Sequence, residues 1–99
     1  MIRVMIADDH NMFVEGIESI LEGHERIEVV AKCYTGTEVF EKVTLAKPDV
    51  ILLDINLPGM NGLEVCQKLS KEYPEVKVLA LSMHNEESFV TEILKYGAQ

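Results

Sequence analysis

Apolar residues along the chain of 99 residues follow two alternating patterns. Short, dense runs rich in branched side chains occur four times: Ile2 to Ala7, Ile27 to Cys33, Val50 to Leu53 and Val76 to Ser82. Runs of this length and composition predict strands. Between them, apolar residues return at helical spacing. One helix is predicted from Asn11, with Phe13, Ile17, Ile20 and Leu21 on one face and Gly23 marking its end. Gly16 lowers its propensity. Thr35-Gly36-Thr37-Glu38 matches a capping box, with Glu38 expected to reach back to the Thr35 amide. The helix that follows should bury Val39, Phe40 and Val43 and stop before Pro48. A third is predicted over Gly62 to Tyr73, with Leu63, Cys66 and Leu69 inward and Pro74 beyond its end. Asn85 can cap a fourth, in which Phe89 pairs with Ile93 and Val90 with Leu94, ending at Gly97. The order β-α-β-α-β-α-β-α calls for a parallel sheet flanked by helices, with right-handed crossovers.

The most informative stretch is Val50 to Gly62, V-I-L-L-D-I-N-L-P-G-M-N-G. Its uninterrupted apolar run suits a strand covered on both faces. Such a strand cannot carry an unpaired charge in its middle, because burying one is too costly. It can carry one at its carboxyl end, where open α/β sheets place their ligands. Asp54 stands there, followed by the turn-forming pairs Pro58-Gly59 and Asn61-Gly62.

In a parallel sheet all carboxyl ends share one edge. That edge therefore collects Asp8 and Asp9, Asp54, and Ser82. Taken singly, two acids after a strand are more often a solvated turn, and one Asp is more often a helix cap. Their convergence on one edge favours a site. Three carboxylates repel one another, and a hard divalent cation with oxygen ligands would offset them, Mg²⁺ best. A metal beside Asp54 would neutralise an incoming phosphoryl group. Asp54 could then serve as nucleophile and form an acyl phosphate, with Ser82 donating a hydrogen bond to it. His10 follows the acids; a metal-ligand role is open to it, but a helix-start position is favoured.

The formal net charge of −8 argues against direct binding of nucleic acid or an anionic membrane by this domain. Partners should be proteins or cations. Cys33 and Cys66 lie far apart with no His or second Cys at ligand spacing, which favours two reduced thiols over a disulfide or a metal site. No signal peptide or membrane span is visible, so a cytoplasmic location is expected. The length suits one domain, residues 1–99.

The segments D-D-H at Asp8 to His10, L-L-D-I-N-L-P-G-M-N-G at Leu52 to Gly62 and L-S-M-H at Leu81 to His84 resemble a bacterial response-regulator receiver domain. The resemblance covers the whole chain and is nearest to receivers that precede a LuxR-type helix-turn-helix output domain. It implies a flavodoxin-like (CheY-like) doubly wound sheet of order 2-1-3-4-5. It also implies Asp54 as phosphoacceptor, Asp9 as a direct Mg²⁺ ligand and Asp8 as a ligand through water. Asn56 would give its backbone carbonyl to the metal, Ser82 would be the switch hydroxyl, and Pro58-Gly59 would shape the loop beneath the site. Asn56, Met83 and His84 would tune access to the phosphate, although an ordinary exposed loop position is favoured for His84. The implied partners are a sensor histidine kinase and an output domain that regulates transcription.

Two features depart from the family. Its fifth strand and helix have no counterpart, and neither does the lysine expected at the end of that strand; Lys95 falls within the fourth predicted helix. The expectation is therefore a receiver cut short after the fourth helix, with order 2-1-3-4. The strand Val76 to Ser82 would then be a bare edge, open to dimerisation, domain swapping or edge pairing. Two other readings compete. One is a receiver-shaped interaction module that is not phosphorylated; the other is an aspartyl-phosphate phosphatase. The second ranks last, because those enzymes carry D-x-D where this chain has D-I-N.

Overall fold

A computed structural model describes residues 1–54, 59 and 62–81 of the chain. The elements are β1 (Ile2–Ala7), α1 (Asn11–Glu22), β2 (Ile27–Cys33), α2 (Gly36–Ala46), β3 (Val50–Asp54), α3 (Gly62–Glu72) and β4 (Lys77–Leu81). The four strands form one parallel sheet in the order β2-β1-β3-β4. This is the expected doubly wound arrangement. The fourth predicted helix, from Asn85 to Gly97, lies outside the described residues, as does Lys95.

Strand alternation sorts the core into two layers. Ile2, Val4, Ile6, Val50 and Leu52 pack with Val14, Ile17 and Leu21 of α1 on one face. Met5, Ala7, Ile51 and Leu53 pack on the other with Val39 and Val43 of α2 and Val65 and Leu69 of α3. Every residue of β3 is buried, which explains its unbroken apolar run. The helical faces differ in detail from the sequence pattern. In α1, Val14 takes a core position while Phe13 and Ile20 are only partly buried. In α3 the core positions are Val65 and Leu69, and Cys66 packs at their margin. Phe40 is likewise marginal, with the Lys68 ammonium 4.7 Å from its ring centroid. The side chain of Leu63 lies outside the described residues.

The helix ends also differ in chemistry from the expectation. The Thr35 hydroxyl accepts from the Glu38 amide at 3.2 Å, as an N-cap does. The Glu38 carboxylate, expected to turn back to Thr35, meets Lys42 Nζ at 3.3 Å. Gly23 ends α1 in a right-handed conformation, its amide directed at Ile20 and Leu21 carbonyls. The left-handed cap belongs instead to Lys47, φ 49°, just before the buried Pro48. Arg3 holds that end: its Nη2 donates to the Ala46 carbonyl at 2.6 Å and its Nε to the Lys47 carbonyl at 3.2 Å. The charge inside β1 is thus a C-cap for α2, supplied by the strand on whose face that helix packs. Helix α3 stops at Glu72, one residue short of the expectation, and the Tyr73 hydroxyl pairs with Thr44 at 2.7 Å. Strand β4 begins at Lys77, one residue late, and lies at an edge of the described sheet.

Candidate functional site

The register of β1 and β3 pairs Ala7 with Leu53. One further step along both strands sets Asp8 beside Asp54. Both acids continue the alternation of Ile6 and Leu52, and so belong to the face that α1 covers. The Asp8 amide extends the other side of the ladder by donating to the Cys33 carbonyl at 3.0 Å. The backbone of Asp8 is therefore fixed by β2, and the strand ends set where the two carboxylates stand.

Asp8 is 3% exposed and Asp54 9%. Asp9 is exposed, and His10 occupies the N-cap position of α1. One ligand-type atom from each of Asp8, Asp9, His10 and Asp54 lies within 4.8 Å of all the others. The buried Asp8 carboxylate is satisfied locally: its Oδ1 accepts from the His10 amide at 2.8 Å and lies 2.8 Å from His10 Nδ1. The same Nδ1 lies 3.1 Å from Asp9 Oδ1. The imidazole pKa is raised, first by the hydrogen bond with Asp8, then by the charges of Asp9 and Asp8, with Asp54 adding to them. The small loss of hydration opposes this. The converging acids thus favour the protonated form of the ring.

The loop after β3 is described only at Gly59. It is exposed and has φ +92°, a left-handed conformation that glycine adopts without steric cost. A Cβ built there would come within 3.9 Å of Thr35 and Gly36, so Gly59 lies beside the start of α2. Asn56, Pro58, Ser82, Met83 and His84 lie outside the described residues.

The model of the response regulator receiver domain matches residues 4–99. The chain belongs to that family. Over 97 residues it is 48% identical to the transcriptional regulatory protein DegU of Brevibacillus brevis, an alignment covering 98% of this chain and 41% of that protein. It is 39% identical over 98 residues to the response regulator GacA of Pseudomonas viridiflava, covering 99% of this chain and 46% of that one. The receiver thus spans less than half the length of these relatives. Among solved structures it resembles the signal receiver domain of NarL from Mycobacterium tuberculosis. The TM-score there is 0.77 at 33% identity, over 96% of this chain and 77% of that one. The family is regulatory rather than conventionally enzymatic, and the names of the relatives tie it to transcription. No helix among the described residues is long and apolar enough to cross a membrane.

Sequence reasoning brought Asp8, Asp9 and Asp54 to one sheet edge, and the structure holds them together there. It did not foresee that the His10 ring contacts both neighbouring acids. The signal was present in the D-D-H run, because a residue at an N-cap next to a strand-end carboxylate is within reach of it. The donor chemistry suits a hard divalent cation: three carboxylates from two adjacent strand ends, one of them almost fully buried.

Proposed function

We propose that Asp54 accepts a phosphoryl group from a sensor histidine kinase and that the receiver passes the change to an output that regulates transcription. The observation that supports this reading is the position of Asp54. It ends a fully buried strand within 4.8 Å of Asp8, Asp9 and His10. Being the last residue of a rigid element, it offers its carboxylate at a fixed place, which is most of what phosphoryl transfer needs from a protein.

In the proposed step an oxygen of the Asp54 carboxylate attacks phosphorus. The bond from phosphorus to the donor nitrogen breaks, and its electron pair leaves with the donor imidazole. Asp9 and Asp54 would hold Mg²⁺ directly, together with the Asn56 carbonyl, and Asp8 through a water. Bound there, Mg²⁺ supplies charge to offset the phosphoryl oxygens. Ser82 would receive the new phosphate by a hydrogen bond, and Pro58-Gly59 would shape the loop beneath it. Asn56, Met83 and His84 would tune access to the phosphate and the rate at which water removes it. The result is a population shift in the surface that contacts the kinase, the output domain or a second receiver. Transcriptional output is carried over from relatives such as DegU, and a cytoplasmic location goes with it.

The test is incubation with Mg²⁺ and acetyl phosphate, followed by intact mass, and with beryllium fluoride, followed by amide spectra. Asp54→Asn serves as control. A phosphoryl adduct and a spectral change that depend on Asp54 are expected. No adduct and no change in the native chain would leave a constitutive interaction module in place of a switch.

A further inference from the structure

We propose that His10 is a further donor to the cation held by Asp9 and Asp54 directly and by Asp8 through water, and that it opens the site to nitrogen-preferring divalent ions such as Ni²⁺ and Zn²⁺ besides Mg²⁺. This rests on the reading that the acids hold a divalent cation. It adds a residue, and an ion preference, that the carboxylates alone do not supply.

An octahedral ion with bonds of about 2.1 Å sets adjacent ligand atoms about 3.0 Å apart. His10 Nδ1 lies 3.1 Å from Asp9 Oδ1, the spacing of neighbouring ligands on one ion, and a hydrogen bond of 2.8 Å to Asp8 Oδ1 holds the ring on the same side of the cluster. Asp54 contributes the remaining atom, within 4.8 Å of these. The ring is also anchored. The His10 backbone sits at the N-cap of α1, with its amide on Asp8 Oδ1 at 2.8 Å. Its side chain is 71% exposed, so an ion can reach Nδ1 from solvent.

The chemistry follows from the donor types. Mg²⁺ favours oxygen and gains little from an imidazole. Ni²⁺ and Zn²⁺ favour imidazole nitrogen. To bind, Nδ1 releases its proton to solvent and gives its lone pair to the ion; no other bond changes. An imidazole that serves only as a hydrogen-bond donor to the acids would do the opposite and compete with every cation.

The experiment is calorimetric titration of the native chain, His10→Ser and His10→Gln with Ni²⁺ and separately with Mg²⁺. It is paired with ¹⁵N spectra of the histidine ring nitrogens on adding Zn²⁺. Serine is itself a favoured N-cap, so His10→Ser keeps the start of α1. Loss of the imidazole should weaken Ni²⁺ roughly tenfold or more, and Mg²⁺ far less. In the native chain the His10 Nδ1 resonance should shift on adding Zn²⁺, and excess Mg²⁺ should reverse the shift. Equal losses for both ions, tighter binding by the variants, or an unmoved Nδ1 resonance would overturn the proposal while leaving the cation site standing. Failure of the native chain to bind either ion would overturn both.

Discussion

Arg3 and Asp49 clasp each other by their main chains and one carboxylate. The Arg3 amide donates to Asp49 Oδ2 at 2.9 Å, and the Asp49 amide donates to the Arg3 carbonyl at 2.7 Å. The Asp49 carbonyl then accepts from the Lys77 amide at 2.9 Å, which ties in the start of β4. This clasp lies at the end of the sheet opposite the acids, and it sets the register that later places Asp8 beside Asp54. Asp49→Ala should cost about 1–2 kcal/mol by leaving a half-buried amide without its acceptor. Asp49→Asn, which keeps an oxygen there, should cost less. Urea denaturation of the two variants distinguishes them; equal stability of both with the native chain would show that the clasp does not stabilise the fold.

The acid cluster carries the opposite kind of energy. Removing one carboxylate from the group relieves repulsion, so in chelator Asp9→Asn should be more stable than the native chain by about 1 kcal/mol. Mg²⁺ that binds only the folded form raises stability by mass action. Thermal melts should therefore show a rise with Mg²⁺ for the native chain and a much smaller one for Asp9→Asn. A native chain indifferent to Mg²⁺ would contradict the proposed cation site.

Cys33 predicts a loss of stability in alkali. Burial pushes its thiol up to about 12, and Lys42 offsets only part of that. In the unfolded chain the thiol ionises near the ordinary value of 9.0. Between these values the folded form holds a proton that the unfolded form has released, so this contribution is complete below about pH 9 and declines as pH rises toward 12. Cys33→Ala should flatten the decline between pH 8 and 10.5, read from urea midpoints. At pH 8 the thiol of Cys66, which is less buried, should react with a thiol reagent well before that of Cys33.

Gly59 predicts a backbone effect with little steric component. A Cβ there would meet only ordinary contacts, the nearest being Thr37 Oγ1 at 3.8 Å. The cost of Gly59→Ala is therefore the positive φ, about 1 kcal/mol. The same substitution should slow phosphorylation by acetyl phosphate, since the loop it strains begins at Asp54. An unchanged rate together with unchanged stability would show that the turn is not needed in this conformation.

Much of the fold was legible because the chain states its periods clearly. Val50 to Leu53 suited a strand covered on both faces, and the alternation of strands with helices pointed to a parallel sheet. Asp8, Asp9 and Asp54 were legible as a group for the same reason, since parallel strands end on one side. Individual side-chain partners were less legible. Arg3 read as an interruption in a strand, and only the packing of α2 against that face of β1 shows it capping Ala46 and Lys47. Val65 and Cys66 are adjacent, and the helix rotation that buries one more than the other depends on where α3 rests on the sheet.

The sequence by itself determined the order of elements, the hydrophobic faces of the strands and the edge on which the acids gather. These follow from local periodicity and from the geometry of any parallel sheet. Tertiary structure decided the register between β1 and β3, the bulge opposite Val4 and Met5 in β2, and the contact of His10 with both acids. Those depend on how separate segments meet in space, where shifts of an ångström or two make or break a hydrogen bond, and no pattern along one segment records them.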